Sequence, residues 1–233
     1  MSNPSAPAPE YGDTWVYESI VGALPGIDLP DRVAVGLQLV GFEAVVLALS
    51  WWYGLPGTAA AGTAAVVVAT GGSVAMRRMG DRLRAADVPK AYYRHLFGSS
   101  IEVVLGLLSF VALVVYLFVV DPGDGSTLLV DVAGEDAPAV VVYVGLVVAW
   151  DVCYRIGTSW WACVVAAWRS WRYDFDAATA ATLRRVDAHN VAFALLQLAL
   201  TPFLLDHPIL LFAVLGHVVA VMVVSGLSLA WLR

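Results

Sequence analysis

The sequence predicts an all-α integral membrane protein: a six-helix bundle of three hairpins, with both termini in the cytoplasm and an N-terminal interfacial amphipathic helix. Three observations predict it. The chain is 60% hydrophobic and 14% charged, whereas a soluble domain is about 25% charged. Its apolar stretches are about 20 residues long and do not alternate, which is the length a helix needs to cross the hydrocarbon core and the wrong pattern for a barrel strand. Finally, twelve of the thirteen Lys and Arg residues lie outside those stretches, and all twelve can be placed on one side.

Residues 1–10 are rich in Pro, Ser and Ala and predict a disordered tail. They contain no Lys or Arg and no apolar h-region follows, so the first transmembrane helix is expected to direct insertion. Residues 11–31 form the cytoplasmic interfacial segment. Asp13 is its N-cap, Trp15, Tyr17, Ile20, Val21 and Leu24 its apolar face, and Pro25-Gly26 its stop. The transmembrane domain is 32–233, with spans at 32–54, 57–76, 99–120, 138–168, 189–205 and 208–232.

The hinges at 54–57 and 206–208 are too short to cross anything, so each flanking pair of spans reads as a hairpin. Segment 77–98 holds Arg77, Arg78, Arg82, Arg84, Lys90 and Arg94, and segment 169–188 holds Arg169, Arg172, Arg184 and Arg185. Arg32 and Arg233 flank the first and last spans on the same side. The other side has no Lys or Arg but has Asp121, Asp124, Asp131, Glu135, Asp136 and Asp206. The positive-inside rule then puts both termini in the cytoplasm of a cell-membrane protein.

The second span is built largely of small residues, which let backbones approach closely, and is expected at the centre of the bundle. The fourth is long and is expected to tilt. Asp28-Leu29-Pro30 and Asp87-Val88-Pro89 read as helix starts with Asp as the cap. Thr201-Pro202 predicts a kink. Cys153 and Cys163 lie ten residues apart on one span. That is about 15 Å along the axis, too far for a disulfide, so both read as small buried residues.

Polar groups near mid-bilayer are the functional candidates, because an ionised side chain there costs at least about 2.5–3.5 kcal/mol. They are Glu43, the Asp151/Arg155 pair, Gln197 and His217, all within roughly 5 Å of the midplane by helical rise. Asp151 and Arg155 are spaced i,i+4 with the acid first, the favourable order for a helical pair, and Thr158 continues their face. Glu43 has no partner on its own helix and shares a face with Gly36 and Ser50. It is expected either to be protonated or to meet Arg155 or His217. His217 lies on a packing face of Ala213, Gly216 and Ala220. Glu102 heads a polar stripe with Gly106, Ser109 and Tyr116, close enough to the cytoplasmic boundary for water to reach it.

No cofactor is expected. The lone lysine, Lys90, is in a cytoplasmic segment, so a retinal Schiff base has no anchor. Of the histidines, His95 and His189 could meet near the cytoplasmic helix ends, while His207 and His217 match poorly in depth for a haem. No metal-site, phosphate-loop, dinucleotide or nucleophile-elbow motif is present. Nothing reads as a catalytic constellation or as a nucleic-acid surface. The expected partner is the lipid bilayer, with anionic lipid heads at the basic segments and room for a homo-oligomer or membrane partner.

The composition, with nineteen acidic residues and helices dominated by Ala and Val, resembles proteins of salt-loving archaea, with high-GC bacteria the second match. The block EYGDTWVYESIVGALPGIDLPDRVAVG, followed by this hydropathy pattern, resembles uncharacterised membrane proteins of halophilic archaea. That resemblance implies no activity. Two functions stand at this point. In the first, proton- or ion-coupled transport or permeation runs through a midplane site with Glu43 as the proton-exchanging group. In the second, the chain is a non-enzymatic scaffold or sensor subunit whose polar groups only lock helices. Water access to Glu43 discriminates them.

Overall fold

The computed structural model describes residue 15 and residues 30–123 and 127–232. The expected tail and most of the interfacial segment fall outside these residues. The exception, Trp15, is buried and packs against Phe97 with ring centroids 4.7 Å apart.

The described chain is all-α. Its helices are α1 (Asp31–Tyr53), α2 (Pro56–Arg84), α3 (Lys90–Phe97), α4 (Ile101–Val115), α5 (Leu128–Ala133), α6 (Ala139–Arg172), α7 (Ala177–Leu196) and α8 (Pro208–Trp231). A widened π-turn over Tyr116–Val120 and a 3-10 turn over Asp121–Gly123 extend α4, and a 3-10 helix over Gln197–Phe203 extends α7. Five helical stretches, 33–53, 56–84, 90–120, 139–172 and 208–231, are long and apolar enough to cross a membrane. Their outward faces carry residues such as Val40, Leu108, Phe212 and Val223, exposed as a lipid-facing surface would be. This is a helical multi-pass membrane protein.

The expected fifth span differs in form. Its helix begins at Ala177, not near residue 189, and its α-helical part ends at Leu196. Arg184, Arg185 and Asp187 therefore ride on the helix itself. Pro202 lies inside the 3-10 segment, so the break comes about five residues before the expected kink. Segments 77–98 and 169–188 are likewise mostly helical: α2 runs on to Arg84, α3 occupies Lys90–Phe97 and α6 reaches Arg172.

Local chemistry sets the boundaries. Gly54 ends α1 in the left-handed conformation (φ 68°) with its N–H turned back to the Ser50 and Trp51 carbonyls, a conformation glycine adopts without a Cβ penalty. Pro56 and Pro208 open α2 and α8, where a missing N–H costs nothing. Asp87 does not cap as expected: Pro89 takes the N-cap position of α3 and no side chain bonds the helix start.

Asp176 does cap α7, accepting the N–H groups of Ala178 and Thr179 at 2.9 and 3.0 Å and the Thr179 hydroxyl at 2.6 Å. The Thr179 hydroxyl foremost, with these N–H groups, holds the Asp176 carboxyl below the usual carboxylate range. A depressed folded-state value means that the cap's stabilisation is present above the ordinary Asp value and is lost as pH falls through the depressed one. Asp176→Asn is expected to lower the melting temperature at neutral pH and to remove that acid-side component from a melt series, while Asp176→Ala loses more.

The packing hub is α6, which meets α1, α2, α3, α4, α7 and α8; α2, expected at the centre, shares this role by meeting α1, α5, α6 and α7. Glycine lets two backbones meet closely where α4 crosses α6. A Cβ on Gly157 would stand 2.6 Å from the Gly106 nitrogen and 3.1 Å from the Glu102 carbonyl oxygen, and one on Gly106 would stand 2.9 Å from the Tyr154 Cα. These neighbours are backbone atoms that cannot rotate away. Gly157→Ala is expected to force α4 off α6 and to destabilise by about 1–3 kcal/mol, read as a lower melting temperature in detergent.

Candidate functional site

The buried face of α6 is a continuous stripe: Asp151, Arg155, Thr158, Ala162, Val165, Ala166 and Arg169. Two ion pairs sit on it, about four turns apart.

The first is the pair legible in the sequence. Asp151 Oδ1 accepts Arg155 Nε at 3.1 Å and lies 3.0 Å from Nη2. Asp151 Oδ2 accepts the amide of Gln38 on α1 at 2.8 Å. Ser73 on α2 donates to Gln38 Oε1 at 3.5 Å and to the Ala69 carbonyl at 3.3 Å. Arg155 Nη1 reaches the Met76 sulfur at 2.9 Å. Gly72 makes the room: a Cβ there would come within 2.9 Å of the Arg155 side chain and the Phe193 ring. The network thus joins α1, α2 and α6, and Arg155 and Ser73 are fully buried in it. Two voids of about 10 Å³ adjoin it, one beside Gln38, Thr70 and Asp151, the other beside Met76, Arg155 and Asn190. Each has room for about one water.

The second pair was not foreseen. Arg169 Nη2 donates to both Asp187 oxygens at 2.8 Å, and Nη1 donates to the Tyr92 hydroxyl at 2.6 Å. Ser228 on α8 donates to Asp187 Oδ2 at 3.0 Å and shares a 3.0 Å hydrogen bond with Ser170. The Arg169 guanidinium also lies 5.1 Å from the Tyr92 ring centroid. One buried cluster therefore ties α3, α6, α7 and α8 together. The signal was present in the spacing of α7, where Leu183, Val186, Asn190 and Phe193 form its buried face and Asp187 falls on it. Counting charge by membrane side hid that face.

A third cluster was also missed. His207 Nδ1 lies 3.1 Å from Asp121 Oδ1, and Nε2 lies 3.1 Å from Asp131 Oδ2. The Tyr116 hydroxyl is 3.4 Å from Nδ1, and the Leu128 N–H donates to Asp121 Oδ2 at 2.6 Å. The two carboxylates meet opposite nitrogens of one ring, so they do not converge on a point. Among the described residues no group of His, Cys, Asp and Glu could hold a metal. The cluster instead pins α5 and the start of α8 to the end of α4, and Thr58 adds a 2.5 Å hydrogen bond to the Val132 carbonyl.

The remaining candidates stand apart from one another. Glu43 is half-buried and meets neither Arg155 nor His217; its Oε1 accepts the Thr63 hydroxyl from α2 at 2.7 Å, and its buried Oε2 has no partner among the described residues. Glu102 is fully buried, against the expectation that water reaches it, and neither carboxyl oxygen has a partner among the described residues. Gln197, at the start of the 3-10 segment, is also fully buried with its amide unpartnered among them. His217 packs edge-on to Trp160, centroids 6.5 Å apart. The histidines near the basic segments do not pair. His189 bonds the Arg185 carbonyl at 2.6 Å and lies 3.3 Å from Arg82 Nη1, while His95 packs on Trp168. Cys153 and Cys163 are free and buried.

Residues 10–228 match the model of DUF7530, a family of unknown function. The chain belongs to this family. No curated protein and no solved structure matches it. The match spans the residues of both ion pairs and of the His207 cluster.

Proposed function

We propose that this DUF7530 protein is a non-enzymatic membrane scaffold or sensor subunit whose intramembrane polar groups lock its helices, and not a proton- or ion-coupled transporter. The observation that carries this reading is the Asp151–Arg155 network. Its carboxylate is filled by Arg155 and Gln38, and the adjoining voids have room for about one water each. A conduction path needs a continuous wet route and an acceptor that can exchange its partner, whereas a satisfied, desolvated pair holds its elements in register.

In this reading the chain crosses the membrane six times as three hairpins, the fifth crossing being α7 with its 3-10 extension. Both termini and the basic helix ends are cytoplasmic, by the positive-inside rule. The acid-rich composition supports a high-salt source.

Transport keeps in its favour the buried carboxyl oxygens without a partner among the described residues, Oε2 of Glu43 and both oxygens of Glu102. Proteoliposomes loaded with a pH-sensitive dye, under a potassium diffusion potential, separate the two readings. We expect acidification no faster than in protein-free liposomes. Glu43→Gln keeps an acceptor for Thr63 and puts its amide where the carboxylate oxygen already lacks a partner among the described residues, so it is expected to change stability by no more than about 1 kcal/mol. A proton flux abolished by Glu43→Gln would establish transport instead.

A further inference from the structure

Between α4 and α8, which both pack on α6, the helices leave a hollow of about 550 Å³. A second lobe of about 300 Å³ adjoins it, sharing Ser109, Ile156 and His217 with the first. The main lobe is walled by aliphatic side chains such as Ala65, Val152, Ile156, Leu200 and Val214. Among the described residues no Asp, Glu, Lys or Arg lines either lobe. Its rim includes Ala112 on α4 and Ala213 and Ile209 on α8, all exposed on the apolar belt of the bundle. The mouth therefore faces the region where lipid would lie.

We propose that this hollow binds a neutral membrane-soluble molecule, an apolar chain or ring system bearing one hydroxyl or carbonyl oxygen, with His217 as its polar anchor. The size falls within the roughly 300–1,000 Å³ of small-molecule sites, which are mostly apolar with a few placed polar groups. A cavity of this size left empty forfeits the dispersion contacts of its whole lining, and an apolar one does not fill with water, so an apolar occupant is the stable state. The absence of charge in the lining excludes ionic ligands on desolvation grounds.

His217 supplies selectivity. It stands where the two lobes meet, and its buried Nε2 has no partner among the described residues. Neutral imidazole offers one donor and one acceptor, so it matches a hydroxyl or a carbonyl equally. Trp160, edge-on to the ring, walls the second lobe beside it. This inference stands on the hollow alone and does not depend on whether the polar core locks helices.

The test uses two probes of one saturated carbon skeleton, hexahydrofarnesol and its hydrocarbon counterpart farnesane, titrated at equal mole fractions in dodecylmaltoside micelles of the full chain. The readout is the rise in melting temperature. Hexahydrofarnesol is expected to act at concentrations about tenfold lower than farnesane, the ratio set by one buried hydrogen bond and the unpaired group it satisfies. His217→Leu is expected to bring the two probes together, and His217→Gln, which restores a hydrogen-bonding group, to separate them again. Ala213→Phe, at an exposed rim position, is expected to block both probes while leaving the unliganded melt unchanged. Equal action of hexahydrofarnesol and farnesane on the unmodified protein, or a hexahydrofarnesol advantage that survives His217→Leu, would mean that the hollow only accommodates bilayer chains and would overturn the proposal. So would no effect of either probe, or a monomer produced from an oligomer by Ala213→Phe, which would make the occupant a second copy.

Discussion

Arg169→Met is expected to destabilise the protein by about 3–5 kcal/mol, the cost of leaving a buried charge without its partner. Asp187 would then stand in a buried site with only the Ser228 hydroxyl to oppose its charge. Tyr92 would lose its charged donor in the same step, on a third helix. Asp187→Leu is expected to cost as much, by stranding the guanidinium. The double variant Arg169→Met/Asp187→Leu is expected to recover most of the loss, because replacing both members of a buried pair with apolar residues of similar volume is often neutral or stabilising. Melting temperatures of the four proteins in one detergent give the coupling directly. Losses in the double variant equal to the sum of the singles would mean that the two residues do not act as a pair.

The second large effect belongs to Arg155. Arg155→Leu is expected to cost about 3–5 kcal/mol, since Asp151 keeps only the Gln38 amide as a donor. Asp151→Leu/Arg155→Leu is expected to recover only part of that loss. It leaves the Gln38 amide buried with no carboxylate to bond, a residual cost of about 1–3 kcal/mol. Adding Gln38→Leu to that double variant is expected to raise the melting temperature again. That ordering, single lowest, double intermediate, triple highest, is specific to a network that reaches α1.

What was legible in the sequence follows a physical line. Asp151 and Arg155 share one helix, so i,i+4 geometry alone brings them together, and the structure has them 3.0 Å apart. Glu43 has its partner on another helix, and nothing in the sequence fixes the register of α1 against α2. Thr63 was therefore invisible beside the more conspicuous Arg155 and His217. The spans were readable from apolar length, but their ends were not. A run of Arg marks where a chain meets the interface and does not stop a helix, so α2 and α6 run on to Arg84 and Arg172. The Arg169–Asp187 pair is hidden for the same reason: Arg169 is counted to a membrane side, while its helix face decides its partner. The hollow between α4 and α8 depends on how far two helices stand apart on a third, a property of packing with no local signature.

The most direct test of the locking account is water access at the Asp151–Arg155 network. Ser73, fully buried and bonded to Gln38, is the reporter position. Ser73→Cys, placed in a chain whose Cys153 and Cys163 are Ala, is treated in proteoliposomes with a membrane-impermeant charged methanethiosulfonate, then unfolded and its free thiol counted. The account predicts full retention of the free thiol until the protein is unfolded. Rapid modification in the folded protein from either side would show a wet path to the pair and contradict the account.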